Sequence, residues 1–272
     1  MTNHPLISVL MTCYNREKYI SEAIESVLSS TFSDFELIIV DDKSTDQTLE
    51  IAKNYETKDQ RIKVYANETN LGDYYNRNKA ASYARGKYLK YLDSDDLFYK
   101  HSLQVYVDFM VNNPDVGYGV ISPNNSTLMP FPHLFKPQES IRHHFFKQHF
   151  LDCAPTGSIF KTEIFHSVGG FSGKRMIGDI EMGLKIASKY SVMILPPGLV
   201  FWREHGNQEV FIGLNNNMYP PLMKEILNSF FKSINEEILT KDEIQIIRRK
   251  ELHSSITDKL KKVIKHLLNH NK

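Results

Sequence analysis

"KYLKYLDSDDLFYK", Lys87 to Lys100, sets three carboxylates directly after an apolar-alternating run. The first part reads as a buried strand, and Asp93, Ser94, Asp95 and Asp96 stand at its end. Like charges this close repel, and burying even one is costly unless something pairs with it. A helix cap, a solvated turn and a cation site would each account for them.

The same arrangement occurs upstream. "LISVLMTCY" (Leu6 to Tyr14) is a nearly continuous apolar run, the pattern of a strand covered on both faces. "FELIIVDD" is a second such strand ending in Asp41 and Asp42, "RIKVYAN" a third and "KYLKYLD" a fourth. Between them, "REKYISEAIESVLSS" places Tyr19, Ile20, Ala23, Ile24, Val27 and Leu28 at helical spacing. "STDQTLEIAKNYE" opens a helix on Ser44 or Thr45 as cap. "NLGDYYNRNKAASYARG" reads as a loop leading into a helix that stops at Gly86. Strands alternating with helices predict βαβ units and a parallel sheet.

Beyond residue 100 the pattern loosens. "HSLQVYVDFMVNN" predicts a helix stopped by Pro114, and "VGYGVIS" a strand. "PNNSTLMPFPHLFKPQES" reads as a long excursion, "IRHHFFKQHFL" as a short helix. "TGSIFKTEIFHSVGGF" suggests a strand, a short helix and a glycine turn. "GDIEMGLKIASKY" is a helix with Asp179 and Glu181 near its start. "VMILPPGLVFWREHGNQE" gives one or two strands and a polar loop, and the last fifty residues are helical and polar.

The bulk numbers narrow the class. A chain of 272 residues with net charge +1 is one large domain or a domain with an appendage, and has no global pull toward nucleic acid. Cys13 and Cys153, without CxxC spacing, argue against a disulfide framework and a cysteine zinc site and make a reducing compartment the default. The N-terminus lacks a basic stretch before its short apolar run, and no run of about 18 apolar residues is present, so neither a signal peptide nor a membrane span is expected. The expected location is cytoplasmic.

In an open parallel sheet, ligands bind outside the carboxyl ends of the strands. Three strand ends carry suitable groups: Thr12-Cys13-Tyr14-Asn15, Asp41-Asp42 and Asp93-Ser94-Asp95-Asp96. Converging acids need a divalent metal, arginines or a hydrogen-bonding ligand between them. All-oxygen ligation favours Mg²⁺ or Mn²⁺. A GxGxxG turn would stand where "TCYNRE" does, and GxxxxGK[ST] is absent, so no glycine-rich loop cradles a nucleotide. Plainer readings stand beside each residue. Asp42 and Asp95 suit helix caps; Tyr14 suits a core aromatic. Asp179 suits the first turn of a helix. His205 and Arg203 suit a solvated loop, and His143, His144 and His149 lack metal-ligand spacing.

"ISVLMTCYNREKYISEAIESVLSSTFSDFELIIVDDKSTDQT", "NLGDYYNRN" and "GKYLKYLDSDD" resemble the nucleotide-binding half of the family 2 glycosyltransferases. The resemblance implies the GT-A fold: α/β, with a mostly parallel central sheet flanked by helices. It implies a Rossmann-like nucleotide-binding half over residues 1–100 and an acceptor half over 101–215, together one glycosyltransferase domain. A helical extension would occupy 216–272. It further implies that Asp95 binds Mn²⁺ or Mg²⁺ and that Asp93, with Ser94, lies near the ribose or the metal. Asp42 would hydrogen-bond the base and Tyr14 pack on it, while Thr12, Asn15 and Arg77 line the nucleotide pocket. "SIFKTEIFHSVGGFSGKRMIGDIEMGLKIA" is similar to the family's acceptor segment, with Asp179 as catalytic base and Gly178 where the family has Glu. Glu181 is the competing base. "FWREHGNQE" resembles a later basic element that would bring His205 to the metal or diphosphate, with Trp202 and Arg203 beside it.

The implied activity is inverting, metal-dependent sugar transfer from a nucleotide-sugar, a UDP-sugar, to a hydroxyl of a glycan or lipid-linked acceptor, in bacterial surface polysaccharide or glycoconjugate synthesis. Two alternatives stand beside it. A nucleotidyltransferase would need a basic, glycine-rich segment near the first strand, which "TCYNREKY" does not offer; a non-catalytic binding module finds support only in the missing Glu before Asp179. In "SSITDKLKKVIKHLLNHNK", Ile256, Leu260, Val263, Ile264, Leu267 and Leu268 share one helical face, and lysines fill the others. Such a helix either lies on an anionic membrane or packs against the domain or the partner in a homodimer.

Overall fold

The computed structural model describes residues 4–122, 130–206 and 208–253. The first half alternates as expected: β1 (Ile7–Cys13), α1 (Ile20–Leu28), β2 (Phe35–Asp41), α2 (Thr48–Glu56), β3 (Ile62–Ala66), α3 (Asp73–Tyr83) and β4 (Tyr88–Tyr91). There follow β5 (Leu97–Phe98), α4 (Ser102–Asn112), β6 (Val116–Ile121), β7 (His133–Phe135), α5 (Pro137–Phe146), β8 (Ser158–Lys161) and α6 (Thr162–Ser167). The remaining elements are α7 (Gly178–Ala187), β9 (Ser191–Leu195), β10 (Val200–Phe201), α8 (Glu209–Asn215), α9 (Tyr219–Ser233) and α10 (Lys241–His253).

Eight strands form one sheet in the order β3-β2-β1-β4-β8-β6-β9-β7. β1, β2, β3 and β4 run parallel, as do β6 and β9; β8 is antiparallel to both its neighbours and β7 to β9. Layers of helices bury both faces, which is why β1 and β2 are apolar on both sides. Leu10, Ile38, Val40 and Tyr91 pack on the side of α3 and α7. Val9, Met11, Leu37 and Ile39 pack on the side of α1, whose Ile20, Ala23, Ile24 and Val27 meet them. Each such side chain withdrawn from water contributes about 1.5–3 kcal/mol. α9 buries Met223, Ile226, Phe230 and Phe231 in the α3–α7 cluster, so this helix shares the core of what precedes it.

Parallel register sets the chemistry. Cys13 lies beside Asp41, and Leu10 beside Tyr91, so the ends of β1, β2 and β4 open on one edge. The two-stranded ribbon β5–β10 pairs Phe98 with Val200 and brings the chain after Phe201 alongside the acidic turn.

Local expectations needed correction at three points. α2 begins at Thr48, not at Ser44 or Thr45, because Ser44 binds Asp41 and the Thr45 amide binds Asn15; Asp46 takes the Thr48 N–H at 3.0 Å. α3 ends at Tyr83, ahead of Gly86. That glycine serves packing instead: a Cβ there would lie 2.5 Å from the Ser8 amide nitrogen. The proline-rich excursion contains β7, a short strand that closes the sheet edge against β9. The basic stretch 254–272 lies outside the described residues. Among the described residues no helix is long and apolar enough to cross a membrane.

Candidate active site

A cleft of about 1130 Å³ lies over the carboxyl ends of β1, β2 and β4 and extends to the start of α7. Thr12, Tyr14, Asn15, Asp42, Arg77, Asp93, Ser94, Asp95, Asp179 and Trp202 all line it, so the topology brings these sequence-distant residues to one place. Glu181, Arg203 and His205 are not among its lining residues.

The first wall is built by strand tips. Tyr14, 45% exposed, is not a core aromatic but an open face beside Asn15. Asn15 adopts φ 52°, a conformation Asn tolerates better than most residues. Its side-chain oxygen accepts the Thr45 N–H at 2.8 Å, and its own N–H donates to Ser44 Oγ at 2.9 Å, tying the β1 tip to the next loop. Asp42 is buried. Its Oδ1 accepts from Asn67 Nδ2 and the Leu71 amide, and its Oδ2 from the Gly72 amide, each at 2.8 Å. The carboxylate thus shapes the 70–72 turn at the cleft.

The acidic turn after β4 is held by cations from three segments. Arg77, buried on α3, donates to Asp73 at 2.8 Å and pairs with Asp93 at 2.7 Å. Burial opposes its charge, but Asp73 and Asp93 outweigh that and hold the guanidinium protonated. Its Nη1 is buried without a hydrogen-bond partner. Arg16 Nε donates to Asp95 Oδ2 at 3.1 Å, and His205 Nε2 lies 2.9 Å from the same oxygen. Arg203 gives its amide to Asp96 at 3.0 Å and its Nε to the Asp95 carbonyl at 2.9 Å. Arg203 also lies over the Tyr19 ring, which stacks on His205 with centroids 4.9 Å apart. The "FWREH" element therefore supports the acidic turn from behind. Burial, with Asp93 and Asp95 adding, pushes the Asp96 carboxyl up to about 8.

The facing wall is the start of α7. Asp179 is partly buried, its Oδ1 accepts the Ile180 N–H at 2.8 Å, and its own N–H donates to Tyr74 Oη at 3.2 Å. Burial pushes the carboxyl up to about 7 against the Ile180 hydrogen bond, with Asp152 and Asp73 adding to the rise. Gly178 has a steric cause: a Cβ there would sit 2.8 Å from the Tyr74 ring, so no side chain fits before Asp179. Glu181 points elsewhere, receiving the Ser172 hydroxyl and Lys174 at 3.3 Å.

A divalent cation at Asp95 would have limited protein ligation and would share the Asp95 Oδ2 with Arg16 Nε. Asp95 Oδ2 and His205 Nε2 converge, but among the described residues no three His, Cys, Asp or Glu side chains are grouped to hold a metal. An ion there would take the rest of its shell from a diphosphate and water, as Mg²⁺ commonly does.

Several cleft residues escaped the sequence reading. Arg16 follows Tyr14 by two positions, inside the first stretch that resembles the family, and was given no role. Asp73 and the exposed Arg175–Glu209 pair, at 2.8 Å, lie inside the quoted stretches without being singled out there, and Asp152 lies outside them. Their signal is polarity close to recognised positions, Asp73 and Arg77 at i,i+4 being the clearest instance.

Comparison with known proteins adds three findings. The sequence profile of the family described as Glycosyl transferase family 2 matches residues 8–169. An uncharacterized glycosyltransferase of Methanocaldococcus jannaschii is 42% identical over 153 residues, which are 53% of this chain and 52% of that protein. The Escherichia coli UDP-Glc:alpha-D-GlcNAc-diphosphoundecaprenol beta-1,3-glucosyltransferase WfgD is 40% identical over 129 residues, 46% of this chain and 50% of that one. The chain spans about half the length of these relatives. Among solved structures, Staphylococcus aureus TarS 1–349 in complex with UDP-GlcNAc superposes with a TM-score of 0.64 at 23% identity, covering 82% of this chain and 65% of that one.

Proposed function

The chain belongs to glycosyl transferase family 2 and has the GT-A fold, and on that premise we propose that it transfers a sugar from a UDP-sugar to an acceptor hydroxyl with inversion. The observation that carries this reading is a cleft with an acidic, cation-flanked turn on one wall and Asp179, whose carboxyl burial pushes up to about 7, on the other.

The residues divide the work by what they touch. Thr12, Tyr14 and Asn15 form the wall on which the base would lie, and Asp42 holds the 70–72 turn that completes it. Arg16 and Arg77 place positive charge beside Asp95 and Asp93, where a leaving diphosphate would gather negative charge. A bound Mn²⁺ or Mg²⁺, held by Asp95 and His205, would supply further charge neutralisation for that leaving group. Asp179 is the base: it accepts the acceptor hydroxyl proton as the oxygen forms its bond to the anomeric carbon and the bond to the diphosphate breaks. Direct displacement needs no covalent carboxylate and inverts the anomeric centre. Trp202, 47% exposed at the cleft, offers an aromatic face to a sugar ring. The name of the Escherichia coli relative describes a lipid-linked acceptor and UDP-Glc as donor. A lipid-linked or glycan acceptor in surface polysaccharide assembly is accordingly the reading for this chain.

Thermal unfolding with UDP, GDP and ADP, each with and without Mn²⁺, tests it. A ligand at about 100 times its Kd stabilises the folded state by about 2.7 kcal/mol. UDP with Mn²⁺ should raise the midpoint most. No shift with any nucleoside diphosphate would overturn the reading.

A further inference from the structure

β4 carries a lysine among apolar and aromatic neighbours. Lys90 is fully buried, in register between Val9 of β1 and Ile159 of β8. Its ammonium lies 4.4 Å from the Tyr106 ring centroid and 5.0 Å from that of Phe98. It donates to the Tyr91 carbonyl at 3.2 Å and, more closely, to the Thr156 carbonyl. Thr156 is itself buried, and its hydroxyl accepts the Asp93 N–H at 3.0 Å. A continuous chain of contacts thus runs from the buried ammonium through Thr156 to the first residue of the acidic turn.

Withdrawing an ammonium from water is costly, and an apolar side chain of similar length would pack against Tyr106 and Phe98 without that cost. Two carbonyls and two aromatic faces offset part of it. Burial pushes the ammonium down to about 7, with Cys153, Asp93 and Asp96 acting in the opposite direction. Two of the three groups that favour its charge therefore belong to the acidic turn. The contact that ties this lysine to the turn is the one through Thr156.

We propose that Lys90 is a positioning residue for the donor site: by donating to the Thr156 carbonyl it holds Thr156 where its hydroxyl takes the Asp93 amide, and so fixes the acidic turn in the arrangement that receives a nucleoside diphosphate. Lys90 is not among the cleft-lining residues, so it acts through the turn and touches no substrate. The proposal rests on the nucleotide-sugar reading above.

The test is calorimetric titration of the full chain with UDP and with uridine, both with Mn²⁺ present. Absence of UDP binding by the unaltered protein would overturn the nucleotide-sugar reading, and this proposal with it. With UDP binding established, Lys90→Met should weaken UDP by about tenfold and leave uridine within about twofold. Its unfolding midpoint should equal or exceed that of the unaltered protein, since a buried charge gives way to an apolar side chain. Unchanged UDP affinity in folded Lys90→Met overturns the proposal. So does equal loss of uridine and UDP with a lowered midpoint, which assigns Lys90 to the core alone. Should Lys90→Met fail to fold, Thr156→Val decides: it keeps the carbonyl and the shape, and removes the hydroxyl that accepts the Asp93 amide and hydrogen-bonds Asp96. UDP affinity should fall several-fold there, and an unchanged value overturns the proposal.

Discussion

On the wall formed by the strand tips, carboxylates are held by partners. Asp93 has Arg77, Asp95 has Arg16 and His205, and Asp42 has two backbone amides and Asn67. On the facing wall, Asp179 takes one N–H from its neighbour Ile180 and sits in the field of Asp152 and Asp73. The first arrangement fixes acids in place, suited to shaping a pocket and holding a cation. The second leaves an acid whose proton affinity lies near neutrality, suited to accepting a proton. Asp96 also rises, to about 8, and lines the same cleft, but it is 3% exposed and its Oδ1 takes the Arg203 amide, which leaves it less open to an acceptor hydroxyl than Asp179.

The largest effect should come from removing the proton acceptor. Asp179→Asn keeps size and the Ile180 contact but accepts no proton, so transfer should fall about 10²–10⁴-fold while UDP affinity stays unchanged. Measuring UDP release with acceptor present, beside calorimetric UDP binding, separates the two. Transfer at the unaltered rate would move the base elsewhere. pH sharpens the same point. Asp179 rises from its ordinary 3.8 to about 7, so transfer should decline about tenfold per unit as pH drops below that value. Its effect on stability has the opposite sense. The folded state retains a proton that the unfolded chain releases, so this contribution is complete below pH 3.8 and lost as pH rises through 7. Asp179→Asn should therefore unfold at higher temperature than the unaltered protein at pH 8, with the difference shrinking toward pH 4.

The first wall was largely legible in the sequence, the second less so. β1 to β4 are apolar on both faces, and that continuous pattern marks parallel strands whose tips must gather. The strand ends that carry Tyr14, Asp42 and Asp95 followed from position, and the resemblance to the family separated these residues from their neighbours. Pairings did not follow, because Arg16, Arg77 and His205 reach the turn from separate segments, and contact order is invisible in local pattern. Lys90 shows the same limit: a lysine inside a strand reads as an edge or a solvent face until both covering layers are known. Gly178 shows the converse. It replaces a motif residue, and only the Tyr74 ring packed on it explains why. β7 was hidden because three residues carry too little periodicity to stand out from their prolines.

A middle-sized effect should appear at Asp42. Both of its oxygens accept hydrogen bonds, and Asn offers one acceptor and an NH₂ group that would face the Leu71, Gly72 or Asn67 donors. Asp42→Asn should cost about 1–3 kcal/mol of stability and weaken UDP as the 70–72 turn shifts. Chemical denaturation with UDP titration checks both. If stability holds and only UDP binding is lost, Asp42 acts by touching the base rather than by shaping the turn. That result would place it among ligand contacts and narrow the difference between the walls.

The smallest effect should come from Glu181, two residues beyond Asp179 on the same helix. It is held as the acids of the first wall are, by the Ser172 hydroxyl and Lys174, and it does not line the cleft. Glu181→Gln keeps an oxygen for Ser172 and removes a charge from Lys174, which retains Glu225 at 3.2 Å. The pair is partly buried, with its side chains 28% and 14% exposed, and contributes about 0.5–1.5 kcal/mol. Stability should therefore change within that range, and transfer should stay within about twofold. A loss comparable to that of Asp179→Asn would show that the 172–176 loop releases Glu181 when acceptor binds. The proton acceptor would then be the paired acid, and pairing would cease to distinguish one wall from the other.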